Sequence, residues 1–289
     1  MKKIVTFIAF MGLLLAPMLI KAQTKRALVI GIGKQEDQAW NKINGDKDVP
    51  YVMAILEDAD YQQIFTLVNE EATKEGIVAA FQNLAQSCQK GDVVYVHFSG
   101  HGQRMRDRDS DEQDALDECW IPYDAYRKPC EQDWGEKHLT DDEVNMLLTK
   151  IRNKIGDEGK MLVVIDACHS GDATRSQGET VRGVGEVFEA VKAYFKDTPH
   201  TDVAESSNLE QWITLSACRS HEVNIEMKDP VAGKLTYAIF TKLKNKEFES
   251  NEELFKKIKA FMYLNAGSRP QKPTMTGEIA KYNIADILQ

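Results

Sequence analysis

The chain has 289 residues, 43% of them hydrophobic, and carries 45 acidic against 36 basic side chains, a net charge of −9. This length provides an ample core for one large domain or two small ones. This net negative charge argues against nucleic acid as a partner, because a protein that binds phosphates needs a basic face.

Residues 1–22 are predicted to be a secretory signal peptide. Two lysines precede an apolar run over residues 4–20, and Ala22 offers a small residue for cleavage. The alternative is a membrane anchor, but a spanning helix needs ~20 apolar residues and this run is shorter. We therefore expect an exported protein, periplasmic or secreted, with a mature chain of residues 23–289 and no membrane span after the signal is removed.

Strands and helices are predicted to alternate along the mature chain. Apolar runs predict the strands, and amphipathic runs predict the helices. In chain order the elements are strand 26–32, helix 49–58, strand 64–68, helix 73–86, strand 93–98, a polar loop or hairpin at 103–137, helix 140–151, strand 161–165, a helical piece at 184–195, strand 212–216, and helices 235–244 and 254–264. This alternation implies parallel βαβ units and an α/β fold.

Two of these helices begin at residues suited to cap them. Thr73 is a plausible N-cap for helix 73–86. Thr140 and Glu143 have the spacing of a capping box, in which each side chain accepts a bond from the other's backbone N–H.

Two strands end in polar, glycine-rich turns that carry reactive side chains. Strand 161–165 runs into Asp-Ala-Cys-His-Ser-Gly, which contains Cys168, and strand 93–98 runs into Ser-Gly-His-Gly, which contains His101. Parallel strands that end at one sheet edge bring such turns together. A cysteine attacks a carbonyl as the thiolate, and a histidine can take its proton and later protonate the leaving amine. We predict His101 and Cys168 to be catalytic.

Backbone amides beside these residues can stabilise an oxyanion. The N–H groups of Gly102 and Cys168 are the candidate donors. Cys218 is a weaker candidate nucleophile, because it follows strand 212–216 but has no glycine after it.

The other cysteines bear on the redox state. The chain has five cysteines, an odd number, which indicates one free thiol in an exported protein. If Cys168 is free, Cys119 and Cys130 are the most local pair that could form a disulfide.

The metal-ligand types in the sequence suit calcium better than zinc. The sequence has neither a Cys-x-x-Cys pair nor a His-Glu-x-x-His motif, so zinc is not expected. Carboxylates suited to calcium lie near the cysteine motif, at Asp117, Asp141, Asp142 and Asp172. The alternative is that Asp141 and Asp142 only favour a helix N-terminus.

Together these motifs resemble the metacaspases, which are caspase-like cysteine peptidases, and their bacterial relatives. The resemblance rests on His-Phe-Ser-Gly-His-Gly at 97–102 and Asp-Ala-Cys-His-Ser-Gly at 166–171. Supporting matches are Asp-Ala-Leu-Asp-Glu at 114–118 with Pro122 and Asp124, the strand region at 212–219, Gly-Lys-Leu-Thr-Tyr-Ala at 233–238, and Gln271 with Pro273.

The resemblance implies a caspase-like α/β/α sandwich, with a mainly parallel central sheet flanked by helices. Residues 23–289 would form a single peptidase domain. Its large-subunit-like part would be 23–175, its processing linker 176–208 and its small-subunit-like part 209–289.

The resemblance also implies cleavage of peptides or proteins after Arg or Lys, through an acidic pocket. The matching positions are Asp48, Ser99 and Asp166. Aspartates suit a guanidinium because they accept charge-assisted, bidentate bonds.

Two further properties follow from the resemblance. No cofactor is required for the chemistry, but calcium is common in the family, and Asp117, Asp141 and Asp142 match its ligands. Asp172 lies too early for the remaining ligand, and Arg175 stands near the expected place. Self-cleavage is expected at basic residues of the stretch 172–208, and the candidate positions are Arg175, Arg182, Lys192 and Lys196.

We therefore predict an exported cysteine endopeptidase that cuts after Arg or Lys, stimulated by calcium and self-processing. One alternative is the same fold with specificity for Asp or Asn. The other is a catalytically silent binding module on this fold.

Overall fold

The computed structural model describes residues 23–106, 116–168, 179–190, 211–219, 222–244, 248–269 and 271–289. The predicted signal peptide lies outside these described residues. The helices and strands follow in chain order: β1 (Lys25–Gly31), α1 (Gly45–Asp58), β2 (Gln63–Val68), α2 (Lys74–Ser87), β3 (Val93–Ser99), β4 (Gly102–Arg106), β5 (Leu116–Trp120), β6 (Leu139–Thr140), α3 (Asp141–Ile155), β7 (Lys160–Asp166), β8 (Ile213–Ser216), β9 (Met227–Lys228), β10 (Val231–Ala232), α4 (Lys234–Lys244), α5 (Asn251–Leu264), β11 (Thr274–Gly277) and α6 (Ala285–Leu288).

The central sheet has six strands in the order β11-β8-β7-β3-β1-β2. β11 is antiparallel to β8, and the other pairings are parallel. All seven residues of β3 are buried, as expected for a parallel strand covered on both faces. The prediction of a mainly parallel sheet flanked by helices is confirmed.

Helices cover both faces because successive side chains of a strand point to opposite sides. In β1, Ala27 and Val29 lie in a core shared with α1, α4, α5 and α6. Leu28 and Ile30 lie in the opposite core, which is shared with α2 and α3. The result is an α/β/α sandwich. One sheet contains both β7 and β8, because these two strands pair directly with each other.

Both predicted helix caps are present. Thr73 Oγ1 accepts a bond from the amide of Gly76 at 3.0 Å. Thr140 Oγ1 accepts from the amide of Glu143 at 3.3 Å, and the Glu143 carboxylate accepts from the amide of Thr140 at 3.1 Å. These bonds satisfy amides that have no partner within the first helical turn.

Helix α1 begins earlier than the predicted position 49. Its first residue, Gly45, packs so tightly that a Cβ there would lie 2.5 Å from the carbonyl oxygens of both Ile32 and Ser99. The first turn contains few apolar residues, so hydrophobic periodicity does not reveal it. Close packing against the ends of β1 and β3 places this turn, and Asp48 within it, beside the sheet edge.

The polar stretch at 103–137 contains the predicted hairpin. β4 pairs antiparallel with β5, and β5 pairs antiparallel with β6, which makes a second sheet of three strands. Gly102, the first residue of β4, lies opposite Trp120. This sheet stands next to the edge at which β3 ends.

The predicted helical piece at 184–195 is wrong for residues 184–190, and residues 191–195 are not described. Phe188 instead pairs with β4: its amide donates to the carbonyl of Arg104 at 2.8 Å, and its carbonyl accepts from the amide of Arg106 at 3.2 Å. Its side chain is fully buried. Tertiary strand pairing and burial of Phe188 override the local helical pattern.

All five cysteines are free thiols, so Cys119 and Cys130 do not form the local disulfide that their spacing suggested. Within the described ranges, no helix combines the length and the hydrophobicity needed to cross a bilayer.

Candidate active site

The register of two neighbouring strands brings the histidine and cysteine motifs to one edge of the sheet. In the parallel pair β3–β7, Ser99 lies directly opposite Asp166. His101 follows two residues after the end of β3, and Cys168 follows two residues after the end of β7. Both side chains are buried. The spacing of the motifs relative to their strands therefore determines that the two turns are neighbours.

The imidazole of His101 is held in the neutral form. Its Nε2 lies 2.8 Å from the carbonyl oxygen of Asn41, which can only accept, so Nε2 carries the proton and Nδ1 carries the lone pair. Nδ1 is buried and has no hydrogen-bond partner among the described residues. Burial lowers the pKa of His101 to about 4, although the bond to Asn41 opposes that shift. An uncharged imidazole with a free Nδ1 can accept a thiol proton.

Trp40 orients the ring of His101. The two rings pack with centroids 4.9 Å apart at an angle of 31°. Trp40 is itself held, because its Nε1 donates to the carbonyl of Ala125 at 3.0 Å. Contact on one face and the Asn41 carbonyl at Nε2 together limit how the imidazole can turn.

The amide and the thiol of Cys168 have different hydrogen-bond partners. The Cys168 amide donates to the carbonyl of Arg182 at 3.0 Å, and the thiol Sγ donates to the carbonyl of Glu222 at 2.7 Å. Cys218 is adjacent: a hydrogen bond with Cys168, together with burial, raises the pKa of Cys218 well above its ordinary value. Cys218 therefore stays a protonated thiol, which is a poor nucleophile.

A buried cluster of three carboxylates surrounds the guanidinium of Arg182. Nη1 lies 2.7 Å from Asp48 Oδ2 and 3.4 Å from Asp166 Oδ1, and Nε donates to Glu226 Oε1 at 2.9 Å. Nη1 also donates to the main-chain carbonyl of Asp166 at 3.0 Å. We call Asp48, Asp166 and Glu226 the acidic pocket. Its members come from α1, from the end of β7 and from the segment before β9.

Neighbouring donors hold the two aspartates in place. Asp48 accepts from the hydroxyl of Ser99 at 2.7 Å and from the amide of Gly233 at 2.8 Å. Asp166 accepts from the side-chain amide of Asn224 at 2.8 Å, and from the backbone and hydroxyl of Thr236 at 2.8 and 2.7 Å. Each carboxylate is thus oriented before any ligand arrives.

The pocket carries more negative than positive charge, and the two aspartates respond differently. Burial, reinforced by the charge of Asp166, raises the pKa of Asp48 to about 6, although Arg182 opposes the shift. Burial also acts to raise the pKa of Asp166, but Arg182 and the bonds from Asn224 and Thr236 outweigh it, so this pKa is lowered. A shared proton therefore belongs on Asp48 rather than on Asp166.

A chain of hydrogen bonds runs from the acidic pocket through His97 into the sheet, and the sequence analysis did not predict this role. The hydroxyl of Tyr95 lies 2.9 Å from Nδ1 of His97, and Nε2 lies 2.9 Å from Ser99 Oγ. Because Ser99 donates to Asp48, Nε2 of His97 must be the donor to Ser99. Burial lowers the pKa of His97 to about 4. The alternation Tyr-x-His-x-Ser on one strand face was the available signal.

The two proposed oxyanion donors are both at the site. The Cys168 amide already binds a carbonyl, that of Arg182. Gly102 forms a parallel bridge with Gly183, the residue after Arg182. Arg182 was expected only as a cleavage candidate; the other three candidates, Arg175, Lys192 and Lys196, lie outside the described residues.

The acids proposed for calcium lie close enough for their negative charges to act on one another. Burial, followed by the negative charges of Asp142, Glu118 and Asp117, raises the pKa of Asp141 to about 7. In the part of the chain that is described, no group of three or more His, Cys, Asp or Glu side chains is arranged to hold a metal ion. Asp172 lies outside that part. Asp141 and Asp142 do form the first turn of α3.

Sequence comparisons identify relatives of this chain. The profile of the caspase domain family matches residues 24–284. Metacaspase-1B of Aspergillus fumigatus is 37% identical over 161 residues, which cover 52% of this chain and 36% of the relative. Metacaspase-2 of Trypanosoma brucei brucei is 27% identical over 224 residues, which cover 73% of this chain and 58% of the relative. The chain thus spans less than two thirds of either relative.

Two solved structures have the same architecture as this chain. A protein from Geobacter sulfurreducens aligns with a TM-score of 0.62 at 22% identity, over 92% of this chain and 97% of its own. Caspase-1 from Spodoptera frugiperda aligns with a TM-score of 0.58 at 11% identity, over 88% of both chains. At these identities the likeness concerns the fold. With the family profile covering nearly the whole described chain, this protein belongs to the caspase domain family.

Proposed function

We propose that this protein is an exported cysteine endopeptidase that cleaves after Arg or Lys. The observation that carries the specificity is the guanidinium of Arg182, bound by three buried carboxylates beside Cys168. A pocket that binds one arginine side chain in this way suits the cationic side chain of a substrate. Specificity for Asp would place a further carboxylate among these three, which like-charge repulsion opposes.

The chemistry follows from the groups at the sheet edge. The Cys168 thiol loses its proton to Nδ1 of His101, and the sulfur attacks the carbonyl carbon of the substrate. The amides of Cys168 and Gly102 hold the oxyanion. The peptide C–N bond then breaks, and His101 returns the proton to the departing amine. Water, activated by the same imidazole, hydrolyses the thioester and restores the thiol.

A positional peptide library tests the specificity. We expect hydrolysis with Arg or Lys before the cleaved bond and none with Asp or Asn there. A preference for Asp or Asn would reject the pocket assignment. Inertness toward both the library and thiol-directed substrate mimics, with and without calcium, would support the silent binding module instead.

Calcium stimulation also belongs to this proposal. The crowded carboxylates of Asp117, Asp141 and Asp142, with Asp172 beyond the described residues, would bind a hard divalent cation through oxygen. Bound calcium would offset their mutual repulsion and would take no part in bond cleavage. Calorimetric titration with calcium, beside peptide hydrolysis in calcium or chelator, tests this. Absence of both heat and rate change would remove calcium from the proposal.

Export rests on the lysine-flanked apolar run over residues 1–22. Expression of the full chain in a Gram-negative host, followed by terminal sequencing of the periplasmic and secreted fractions, tests it. We expect a mature N-terminus at Gln23. An uncleaved chain in the membrane fraction would favour the anchor instead.

A further inference from the structure

A carboxylate of the chain is bound three residues before Arg182, on the same extended segment. Residues 180–182 pair antiparallel with residues 224–226 through backbone hydrogen bonds of 2.9 Å at both ends. Addition of an extended peptide to an exposed strand is a recurrent mode of peptide recognition. Glu179 immediately precedes this pairing, so its surroundings show what the cleft can bind three positions ahead of a guanidinium in the acidic pocket.

Two donors from the loop between α5 and β11 hold the Glu179 carboxylate. The amide of Ser268 donates to Oε1 at 2.7 Å, and the hydroxyl of Ser268 donates to Oε2 at 2.5 Å. A Cβ at Gly267 would lie 2.6 Å from Oε1, so a side chain there would push the carboxylate away from this amide. Burial acts to raise the pKa of Glu179, but the bonds from Ser268 and the charges of Lys234 and Lys228 outweigh it and lower this pKa. The group is therefore bound as an anion.

Lys234, the first residue of α4, supplies positive charge beside this carboxylate. The residue is only 2% exposed, and its Nζ has no hydrogen-bond partner among the described residues. Burial lowers the pKa of Lys234, while the charges of Glu179 and Asp166 act to raise it. Burial of an ammonium group without a hydrogen-bond partner is costly. An anion bound beside Lys234 reduces that cost through its charge.

The two ends of the cleft thus carry opposite charges. The acidic pocket binds a cation, whereas Lys234, Gly267 and Ser268 bind a carboxylate, and we call these three residues the anion subsite. Ser268 is exposed and Glu179 is half-buried, so a peptide can reach the anion subsite from solvent. The two residues between the charged positions are half-buried and are held by backbone pairing. The cleft therefore recognises charge at its ends and main chain between them.

We propose that the anion subsite selects substrates with a glutamate three residues before the cleaved Arg or Lys, and that Lys234 and Ser268 determine this preference. The proposal rests on the proposed peptidase function and names its substrate class, which is Glu-x-x-Arg or Glu-x-x-Lys. Glu179 occupies the place of the substrate glutamate. A substrate bound in this way has its cation in the acidic pocket and its anion on Ser268, so two opposite charges determine its direction and register in the cleft.

Basic side chains are disfavoured at the same position. A lysine or arginine three residues before the cleaved bond would face the N–H donor of Ser268 and the ammonium group of Lys234, and like charges repel. The enzyme therefore prefers sequences of mixed charge over runs of basic residues.

The test compares fluorogenic peptides that differ only at this position, with the chain 23–289 as the enzyme. The peptides are Glu-Thr-Val-Arg, which repeats residues 179–182, and its analogues with Gln or Lys in first place, each with a coumarin amide after Arg. Residues 179–182 of the chain compete equally with all three peptides, so the ratios of kcat/KM do not depend on that competition. Charge-assisted bonds should make kcat/KM about tenfold higher for Glu than for Gln, mainly through KM, and the Lys peptide should be the poorest.

Two variants and a matched control test which side chains carry the preference. Ser268→Ala removes a hydroxyl donor, and Lys234→Met removes a buried charge at nearly equal length. Each should reduce the Glu-to-Gln ratio of kcat/KM to about threefold or less. Lys228→Met is the control, because the charge of Lys228 also acts on Glu179 although its side chain is exposed. This control should keep the wild-type ratio.

If Lys234→Met misfolds, Ser268→Ala at the surface still decides the assignment. Equal kcat/KM for the Glu and Gln peptides in the wild type, or a wild-type ratio in every folded variant, would overturn this inference and leave the proposed function standing. No hydrolysis of any Arg peptide would reject the proposed function and this inference with it.

Discussion

Replacement of Asp48 by asparagine removes one negative charge from the acidic pocket and keeps the shape of the side chain. The Gly233 amide donates to Oδ1 of Asp48, so an asparagine keeps its carbonyl oxygen there and turns its NH₂ group toward the cation. The charge-assisted bond of 2.7 Å between Asp48 and the guanidinium of Arg182 is then lost, and two N–H donors face each other instead. Breaking a buried ion pair costs about 3–5 kcal/mol.

Asp166 and Glu226 remain in this variant, so we take about 3 kcal/mol, the low end of that range. At 1.36 kcal/mol per tenfold change, kcat/KM for an Arg peptide should fall by about two orders of magnitude. The assay compares an Arg peptide with its uncharged citrulline analogue. The Arg peptide should lose most of its advantage, while the slow hydrolysis of citrulline should change little.

The control is Asp92→Asn at the opposite end of β3. Asp92 is also buried and paired with an arginine, Arg26, at 3.2 Å, but it precedes the strand whose far end forms the site. This variant should keep the Arg-to-citrulline ratio of the wild type. If Asp48→Asn also keeps that ratio and is folded, Asp48 does not read the substrate cation and the electrostatic reasoning is wrong.

Three further predictions concern the nucleophile, pH and the anchored segment. Cys168→Ala should abolish hydrolysis of Arg peptides with an unchanged circular-dichroism spectrum; retained activity would exclude Cys168. The pKa of Asp48 is raised by burial to about 6, above its ordinary value of 3.8, while the charge of the guanidinium acts to lower it. Proton binding therefore competes with the cation, and affinity for Arg peptides should fall as the pH is lowered toward 6; KM–pH profiles measure this, and an identical profile for Asp48→Asn would contradict it. Phe188→Ala should destabilise its packing by about 3–5 kcal/mol; an unaltered melting temperature and unaltered protease resistance would show that residues 184–190 are not anchored by that ring.

Local sequence determined the elements and the position of the two reactive turns. Thr73 and Thr140 begin helices because their hydroxyls satisfy amides within the next turn, an interaction confined to four residues. Residues 93–98, which are apolar except for His97, and residues 161–165 form neighbouring parallel strands, because such runs need cover on both faces. Once those strands pair in register, His101 and Cys168 fall at the same edge.

The tertiary structure decided what fills the pocket. Asp48, Asp166, Arg182 and Glu226 are separated by long stretches of chain, and no periodicity links them. In the sequence, Arg182 cannot be distinguished from a solvated basic residue. Its place in the pocket follows from the fold, in which the backbone of residues 180–182 pairs with that of residues 224–226. The helix predicted over 184–190 is absent for the same reason: pairing with β4 and burial of Phe188 outweigh a weak local preference for helix. Propensity and capping act over a few residues, whereas the ion cluster exists only where distant segments meet in the folded chain.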